Sequence, residues 1–262
     1  MPKEICIFCN VALEASKKCL PASATEEHVF AKWVRKPSVN KNMRMFTATG
    51  NAEPQLVRKP PLERLVNKKV CRSCNGGWMS HLETEVAPIF DKMNESNGIN
   101  SLGSGEVETL ARWTAKTAAV LSHVTPQLQF VPRSASASLH PTSKCAPKFR
   151  FFYAHIDNNL TLENGYLQIV YGAEIGLIGT TEPAGTRIIL CIQNHCLIVD
   201  FPPMLEGVIY DLNSSPCSMV WPIFEPAGIS QLIPNDHQVH LVLKQLCRSI
   251  EVAYDPRALV SN

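Results

Sequence analysis

Apolar and polar positions follow two different patterns in the later part of this chain. Between residues 106 and 124, apolar and small side chains recur every three or four positions, which predicts an amphipathic helix. The same spacing near 236–250 predicts a second, final helix. The face expected to be buried in the first helix carries Val107, Leu110, Ala111, Thr114, Ala118 and Leu121.

From Phe149 onward the pattern changes to short apolar runs separated by Gly, Pro and Asn, which predicts strands. Two of these runs are joined by Gln193–His195 and therefore predict a β-hairpin. The Ser- and Pro-rich stretch 132–148 predicts a loop. The predicted strands are 149–156, 166–171, 187–192, 196–201 and 218–224.

A polar, glycine-rich stretch at 94–105 breaks these patterns and suggests a domain boundary near residue 100. We therefore expect an α+β protein with a small module in 1–100, followed by a helix and an antiparallel sheet in 101–262. With 262 residues, of which 45% are hydrophobic, the chain is long enough to bury one large core or two small ones.

Two Cys-x-x-Cys pairs, Cys6/Cys9 and Cys71/Cys74, stand out in the first hundred residues. Four thiolates from two such knuckles suit a closed, tetrahedral, structural Zn²⁺ site. The other six of the ten cysteines are irregularly spaced, so a reducing, cytoplasmic location is expected. We expect no membrane partner, because no apolar run is long enough to span a bilayer and no signal-peptide pattern opens the chain.

The two cysteine pairs bracket Glu27 and His28, and Asn75 directly follows the last cysteine. A carboxylate and a carboxamide supply the oxygen ligands that Mg²⁺ prefers, and an imidazole can accept a proton near neutral pH. Adjacent side chains on a strand point to opposite faces, which would separate Glu27 from His28. Taken alone, a Glu-His pair can also be an ordinary surface feature, and Asn75 can be a turn residue before Gly76 and Gly77.

The stretches CIFC, TEEHVFAKW, LVNKKV and CRSCNGGW together resemble the HNH endonucleases of the ββα-metal class, over roughly residues 4–90. This resemblance implies that Glu27 and Asn75 bind a catalytic Mg²⁺ or Mn²⁺ ion and that His28 is the general base. Asn67 would be the central Asn that fixes the loop carrying the base. Two alternatives for Asn67 stay open, since it can also be the metal ligand or a helix C-cap.

Two positions depart from the family pattern without removing a functional group. Glu27 stands where Asp is commoner, and Ala31 stands where Pro often follows the acidic-His pair. The activity implied by the resemblance is hydrolysis of DNA phosphodiester bonds, leaving 5′-phosphate and 3′-hydroxyl ends. The alternative from another class is a zinc-stapled nucleic-acid-binding or sensor module without catalytic activity. Restriction and phage defence are biological settings for such an enzyme, and the sequence does not choose between them.

Positive charge is concentrated between the acidic-His pair and the second cysteine pair. The whole chain has a net charge of +2, but residues 32–72 contain 11 Lys and Arg against Glu53 and Glu63. Such a basic stripe suits a phosphate backbone, so DNA is the expected partner, with RNA open as an alternative. An ordinary solvated loop is the competing interpretation. The candidate nucleic-acid-binding residues are Lys32, Arg35, Lys36, Lys68, Lys69 and Arg72.

Residues 101–262 contain no recognisable catalytic motif. Cys191, His195 and Cys196 flank the predicted hairpin turn, and such residues are more often core positions than metal ligands. Three roles are open for this part of the chain: positioning the substrate, forming a homodimer, or binding a regulatory partner.

Overall fold

The structure is a computed structural model in which two compact units can be distinguished. The first unit comprises residues 1–41 and 60–149, and the second comprises 42–59 and 150–262. The division therefore differs from the boundary predicted near residue 100. The residues that the structure describes are 4–13, 21–35, 44–49, 55–58, 64–96, 98–124, 131–144, 149–156, 169–176, 183–192, 195–201, 208–210, 218–221, 231–232 and 252–254.

The described elements make this an α+β protein, as predicted. None of the described helices is both long and apolar enough to cross a membrane. The helices are α1 (Lys32–Arg35), α2 (Arg72–Cys74), α3 (Ser80–Ser96), α4 (Ser104–Ser122) and α5 (Arg133–Ser138). The strands are β1 (Ala24–His28), β2 (Arg44–Thr49), β3 (Gln55–Arg58), β4 (Val66–Cys71), β5 (Arg150–Ile156), β6 (Ile169–Gly176), β7 (Pro183–Ile192), β8 (His195–Phe201), β9 (Val208–Tyr210), β10 (Ser218–Trp221), β11 (Gln231–Leu232) and β12 (Val252–Tyr254).

In the first unit, an antiparallel pair of strands leads directly into a helical segment. β1 pairs with β4, and Glu27 lies opposite Asn67 in this pair. After β4 the chain continues through α2 and a wide, π-helical turn at Asn75–Met79, which is kinked at Gly77, into α3. Apart from the four-residue α1, the order of elements in this unit is therefore strand, strand, helix.

The core of the first unit is built around α4. This helix was predicted over 106–124 and is confirmed with nearly the same bounds. Every residue from Trp113 to Ser122 is buried, so most of the helix is covered on all sides. The Trp113 ring lies 5.5 Å from that of Trp33 and 5.4 Å from that of Phe90. The helix assigned by sequence to the second domain is thus the centre of the first unit.

Residues 132–148 are not entirely a loop. α5 forms within this stretch, with Ala135, Ser136 and Ser138 buried. The hydroxyl of Ser136 bonds to the Pro132 carbonyl, and the hydroxyl of Ser138 bonds to the Ala135 carbonyl. Serine hydroxyls can satisfy local backbone groups in this way, so a Ser-rich sequence does not exclude a short helix.

The second unit is dominated by a largely antiparallel sheet. Among the described residues, β10, β5, β8, β7, β6, β2 and β3 lie side by side in that order, and β11 pairs with β5. The predicted hairpin is confirmed as β7 and β8, and all seven residues of β8 are buried. Two pairings are parallel, β2 with β6 and β11 with β5. The helix predicted near 236–250 lies outside the described residues.

Candidate metal centre and candidate active site

The four predicted zinc ligands come together in the first unit. The Sγ atoms of Cys6, Cys9, Cys71 and Cys74 all lie within 4.8 Å of one another. Cys6 Sγ and Cys74 Sγ are 3.8 Å apart, and Cys9 Sγ and Cys71 Sγ are 3.6 Å apart. Sulfur atoms placed tetrahedrally about 2.3 Å from a zinc ion would be about 3.8 Å apart, whereas a disulfide needs about 2.05 Å. The cluster therefore fits a metal such as zinc.

Electrostatics within the cluster also favour a bound cation. The contact with Cys74 lowers the pKa of Cys6 to about 4, and the same contact raises the pKa of Cys74 well above its usual range. Burial raises the pKa of Cys9 to about 11. Thiolates so close together repel one another, so a positive ion is needed before several of them can be charged at once.

Local backbone structure holds the cysteines in place. The first knuckle is closed by a hydrogen bond from the Cys6 N–H to the Val11 carbonyl, with Asn10 in the left-handed region at φ 59°. In the second knuckle the Cys74 N–H donates to Cys71 Sγ over 3.4 Å. The Ile7 N–H donates to the Lys69 carbonyl over 3.0 Å, which joins the first knuckle to β4. The cluster thus links the start of the chain to the end of the strand pair.

Asn67 supports an irregularity in β4. Between the paired positions Thr25–Val70 and Glu27–Asn67, β1 has one intervening residue and β4 has two, so β4 carries a β-bulge. The Lys69 N–H at the bulge donates to Asn67 Oδ1 over 2.6 Å. Asn67 Nδ2 donates to the Val120 carbonyl of α4 over 2.8 Å, and its side chain is almost completely buried. Both ends of this carboxamide therefore have a structural partner.

Glu27 is buried and lies beside a buried lysine that the sequence analysis did not single out. Lys116, from the middle of α4, is fully inaccessible to solvent. Its Nζ atom donates to Glu83 Oε1 over 2.8 Å and lies 3.7 Å from Glu27 Oε1. Three elements, β1, α3 and α4, thus place two carboxylates around one ammonium group. The sequence signal for Lys116 is its position as the lone charge in the buried run 113–122.

Asn75 contacts the same strand as Glu27. Asn75 Nδ2 donates to Thr25 Oγ1 over 3.0 Å, and this hydroxyl donates in turn to the Val70 carbonyl over 3.1 Å. Thr25 and Glu27 are two residues apart on β1, a separation of roughly 7 Å along a strand. Among the described residues, the Asn75 side-chain oxygen makes no hydrogen bond. His28 is half-buried at the end of β1, opposite Val66.

The basic stripe is divided between the two units, but the predicted nucleic-acid-binding residues that the structure describes all belong to the first. Lys32, Lys68 and Arg72 are exposed in the first unit, and Lys69 is half-buried. Arg35 is in α1, and Lys36 lies outside the described residues. The middle of the basic stripe, 42–59, belongs to the second unit. The stripe is therefore not a single segment of one unit.

Two basic residues, Lys69 and Arg133, lie near the end of α4 and act on His123. Burial, followed by the charges of Lys69 and Arg133, lowers the pKa of His123 to about 4. Lys68 Nζ lies 3.3 Å from Glu26 Oε1, but both side chains are about 70% exposed, so this pair is weak. The basic side chains on β4 consequently remain accessible to an anionic partner.

A separate cleft of about 410 Å³ lies between the beginnings of α3 and α4. None of the residues predicted for catalysis or zinc binding lines it. Its lining residues are Trp78, His81, Leu82, Glu85, Gly105, Glu108, Thr109, Arg112, Leu139 and Pro141.

The second unit contains a buried polar group centred on Tyr153. Tyr153 Oη lies 2.8 Å from His195 Nδ1 and 3.3 Å from His155 Nδ1. Burial, with His155 as the second cause, lowers the pKa of His195 to about 4, and burial raises that of Tyr153. One hydroxyl can donate to one imidazole and accept from the other, so a neutral, hydrogen-bonded core network accounts for these residues.

Comparison with protein-family models finds none that matches this chain, and comparisons with curated proteins and with solved structures find no significant match.

Proposed function

We propose that this protein is a metal-dependent HNH-type endonuclease that hydrolyses phosphodiester bonds in DNA. The observation that carries the proposal is the arrangement of the first unit. An antiparallel strand pair with Glu27 and His28 at the end of its first strand leads into a helical segment, in which Asn75 directly follows the last of the four clustered cysteines. The strand, strand, helix order supports the resemblance found in the sequence.

In this proposal His28 accepts a proton from the attacking water. A half-buried imidazole at the end of β1 can reach a substrate while its backbone is held by the strand pair. Because side chains alternate along a strand, His28 and Glu27 point to opposite faces, so the base is kept apart from the carboxylate.

Glu27 and Asn75 are the proposed ligands of a Mg²⁺ or Mn²⁺ ion. The donor set fits, since it offers one carboxylate and one carboxamide oxygen and leaves the other positions to water and phosphate. When bound, such an ion stabilises the negative charge on the departing oxygen. Asn75 is favoured over Asn67 as the ligand, because both ends of the Asn67 carboxamide already serve β4 and α4.

The basic residues of β4 and α2 are the proposed contacts to the phosphate backbone. Lys68 and Lys69 follow Asn67 on β4, and Arg72 lies within the second knuckle. Arg133, which acts on His123 together with Lys69, adds a further exposed basic group at this edge of the first unit.

A zinc-stapled nucleic-acid-binding or sensor module is the second candidate. One observation favours it: Lys116 already provides a positive charge beside Glu27, so a buried carboxylate is explained here without a divalent ion.

Plasmid cleavage by purified protein separates the two candidates. With Mg²⁺ or Mn²⁺ the wild-type protein should nick or linearise DNA, and EDTA should stop it. His28→Ala should lower the cleavage rate roughly a hundredfold or more, the usual contribution of a positioned base, while zinc content and DNA affinity stay nearly unchanged. Glu27→Ala and Asn75→Ala should be partly rescued by raising Mg²⁺. DNA binding without metal-dependent cleavage by the wild type would favour the binding module, whereas full cleavage by all three variants would refute the roles proposed for these residues.

A further inference from the structure

Lys116 is held more closely by Glu83 than by Glu27. Its Nζ atom is 2.8 Å from Glu83 Oε1, a charge-assisted hydrogen bond, and 3.7 Å from Glu27 Oε1, which is beyond hydrogen-bonding distance. The lysine side chain is fully buried, that of Glu27 is 7% exposed, and that of Glu83 is 25% exposed. The ammonium group therefore acts on Glu27 through its charge, from a position set by Glu83.

A buried ammonium group is strongly attracted to whichever carboxylate it can reach. When two opposite unit charges are about 4 Å apart in water, their attraction changes an equilibrium constant roughly sixfold. In a protein interior the change is far larger. Lys116 reaches Glu83 with a hydrogen bond, so Glu83 satisfies part of the lysine charge and keeps the ammonium group off Glu27. Without Glu83, the remaining carboxylate within reach in this group would be Glu27.

We propose that Glu83 and Lys116 form a positioning pair that sets the affinity of Glu27 for a divalent cation. This inference rests on the proposed function, in which Glu27 is a ligand of the catalytic ion. Glu83 keeps the Glu27 carboxylate available to the ion, and loss of Glu83 lets Lys116 compete for it. Lys116 is also the reason that a buried Glu27 is tolerated when no ion is bound.

A double-mutant cycle in the full-length protein tests this inference through metal binding itself. Mn²⁺ binding is measured by electron paramagnetic resonance for wild type, Glu83→Gln, Lys116→Met and the double variant, with zinc content and melting temperature recorded for each. Glu83→Gln should weaken Mn²⁺ binding about tenfold or more, because Lys116 moves onto Glu27. Lys116→Met added to Glu83→Gln should restore wild-type affinity or better. The effects of the two substitutions should therefore be strongly non-additive.

Lys92→Met is the matched control, because Lys92 forms another ion pair between α3 and α4, with Glu106 at 2.8 Å. It should leave Mn²⁺ affinity unchanged. Glu83 is partly exposed, so the Glu83→Gln variant still tests the inference if Lys116→Met fails to fold. Lys116→Arg added to Glu83→Gln keeps the positive charge and should therefore keep the weakened Mn²⁺ binding.

Three results would overturn the inference. Equal weakening by Glu83→Gln with and without Lys116 would make Glu83 a metal ligand. Unchanged Mn²⁺ affinity in Glu83→Gln, with wild type still binding Mn²⁺ and cleaving DNA, would remove the positioning pair and leave the proposed function intact. A wild-type protein that neither binds Mn²⁺ nor cleaves DNA would remove both.

Discussion

At the residue scale, Asn67 is a side chain that belongs to a catalytic motif in the sequence and supports the backbone in the folded protein. The resemblance to HNH endonucleases marked it as the central Asn. In the structure its oxygen accepts the N–H freed by the β-bulge, and its nitrogen reaches α4. A carboxamide is the side chain that can both accept and donate at once, which suits a position between an N–H and a carbonyl.

Replacing Asn67 should therefore affect folding more than chemistry. Asn67→Ala leaves the Lys69 N–H and the Val120 carbonyl without this partner, so we expect a loss of about 1–3 kcal/mol in the free energy of unfolding. Chemical denaturation followed by tryptophan fluorescence measures it. Asn100→Ala, at an exposed position, is the control and should change stability little. A fully stable Asn67→Ala variant that cleaves DNA only at a raised Mg²⁺ concentration would instead make Asn67 a metal ligand.

Thr25 has a comparable role for Asn75. Its hydroxyl accepts from the Asn75 side chain and donates to the Val70 carbonyl, so it orients the proposed metal ligand. Thr25→Val keeps the shape and removes both bonds, and should raise the Mg²⁺ concentration needed for half-maximal cleavage while zinc stays bound. Thr25→Ser keeps the hydroxyl and should behave as wild type. If Thr25→Val cleaves DNA at the wild-type Mg²⁺ concentration, the orientation of Asn75 by Thr25 does not matter for ion binding.

How far the sequence predicts the candidate site depends on whether each residue belongs to a local motif. The cysteine pairs were predictable because each knuckle forms from residues close in the chain, and their spacing is diagnostic. Lys116 belongs to no motif. Its partners lie on β1 and α3, so only packing of α4 between these elements brings the three side chains together. The one signal in the sequence is a lone lysine within a helix predicted to have a buried face, because a buried lysine nearly always has a charged partner.

At the element scale, the strand pair of the first unit depends on what is attached to it. Two isolated strands are marginally stable in water, and β1 and β4 form a two-stranded sheet. The first knuckle is bonded to β4, and the second begins where β4 ends. We therefore expect a metal in the cysteine cluster to stabilise the strand pair together with the start of the helical segment.

Loss of the metal should accordingly unfold this part of the protein. Purified wild type should contain close to one tightly held zinc ion by elemental analysis. Cys71→Ser should lose this zinc, and its melting temperature should fall strongly, because structural zinc contributes directly to folding. Cys196→Ser is the matched control, because Cys196 is a buried cysteine of β8 in the second unit. It should keep its zinc, even if the second unit becomes less stable. Normal zinc content in Cys71→Ser would refute the four-cysteine assignment.

At the scale of the whole molecule, the chain passes three times between the two units. Residues 42–59 leave the first unit and contribute β2 and β3 to the second, where Arg44 lies opposite Ile169 on the parallel neighbour β6. Helix α4 could be predicted because its periodicity is local. A pairing between strands so far apart in sequence leaves no local signal, which is why 42–59 was interpreted only as part of a basic stripe.

The division of the basic stripe leads to a prediction about DNA binding. If Lys68 and Lys69 of the first unit contact phosphates, affinity should fall about a hundredfold between 50 and 200 mM salt for a footprint of about four phosphates. Lys68→Ala with Lys69→Ala should weaken binding to unrelated sequences by similar factors and reduce the slope of log affinity against log salt by about 2. Lys144→Ala, an exposed basic position of the first unit outside the stripe, serves as the control. Fluorescence anisotropy with two unrelated duplexes measures all three proteins. An unchanged slope in the double variant would mean that β4 does not follow the phosphate backbone, and the DNA path would then have to use other basic residues.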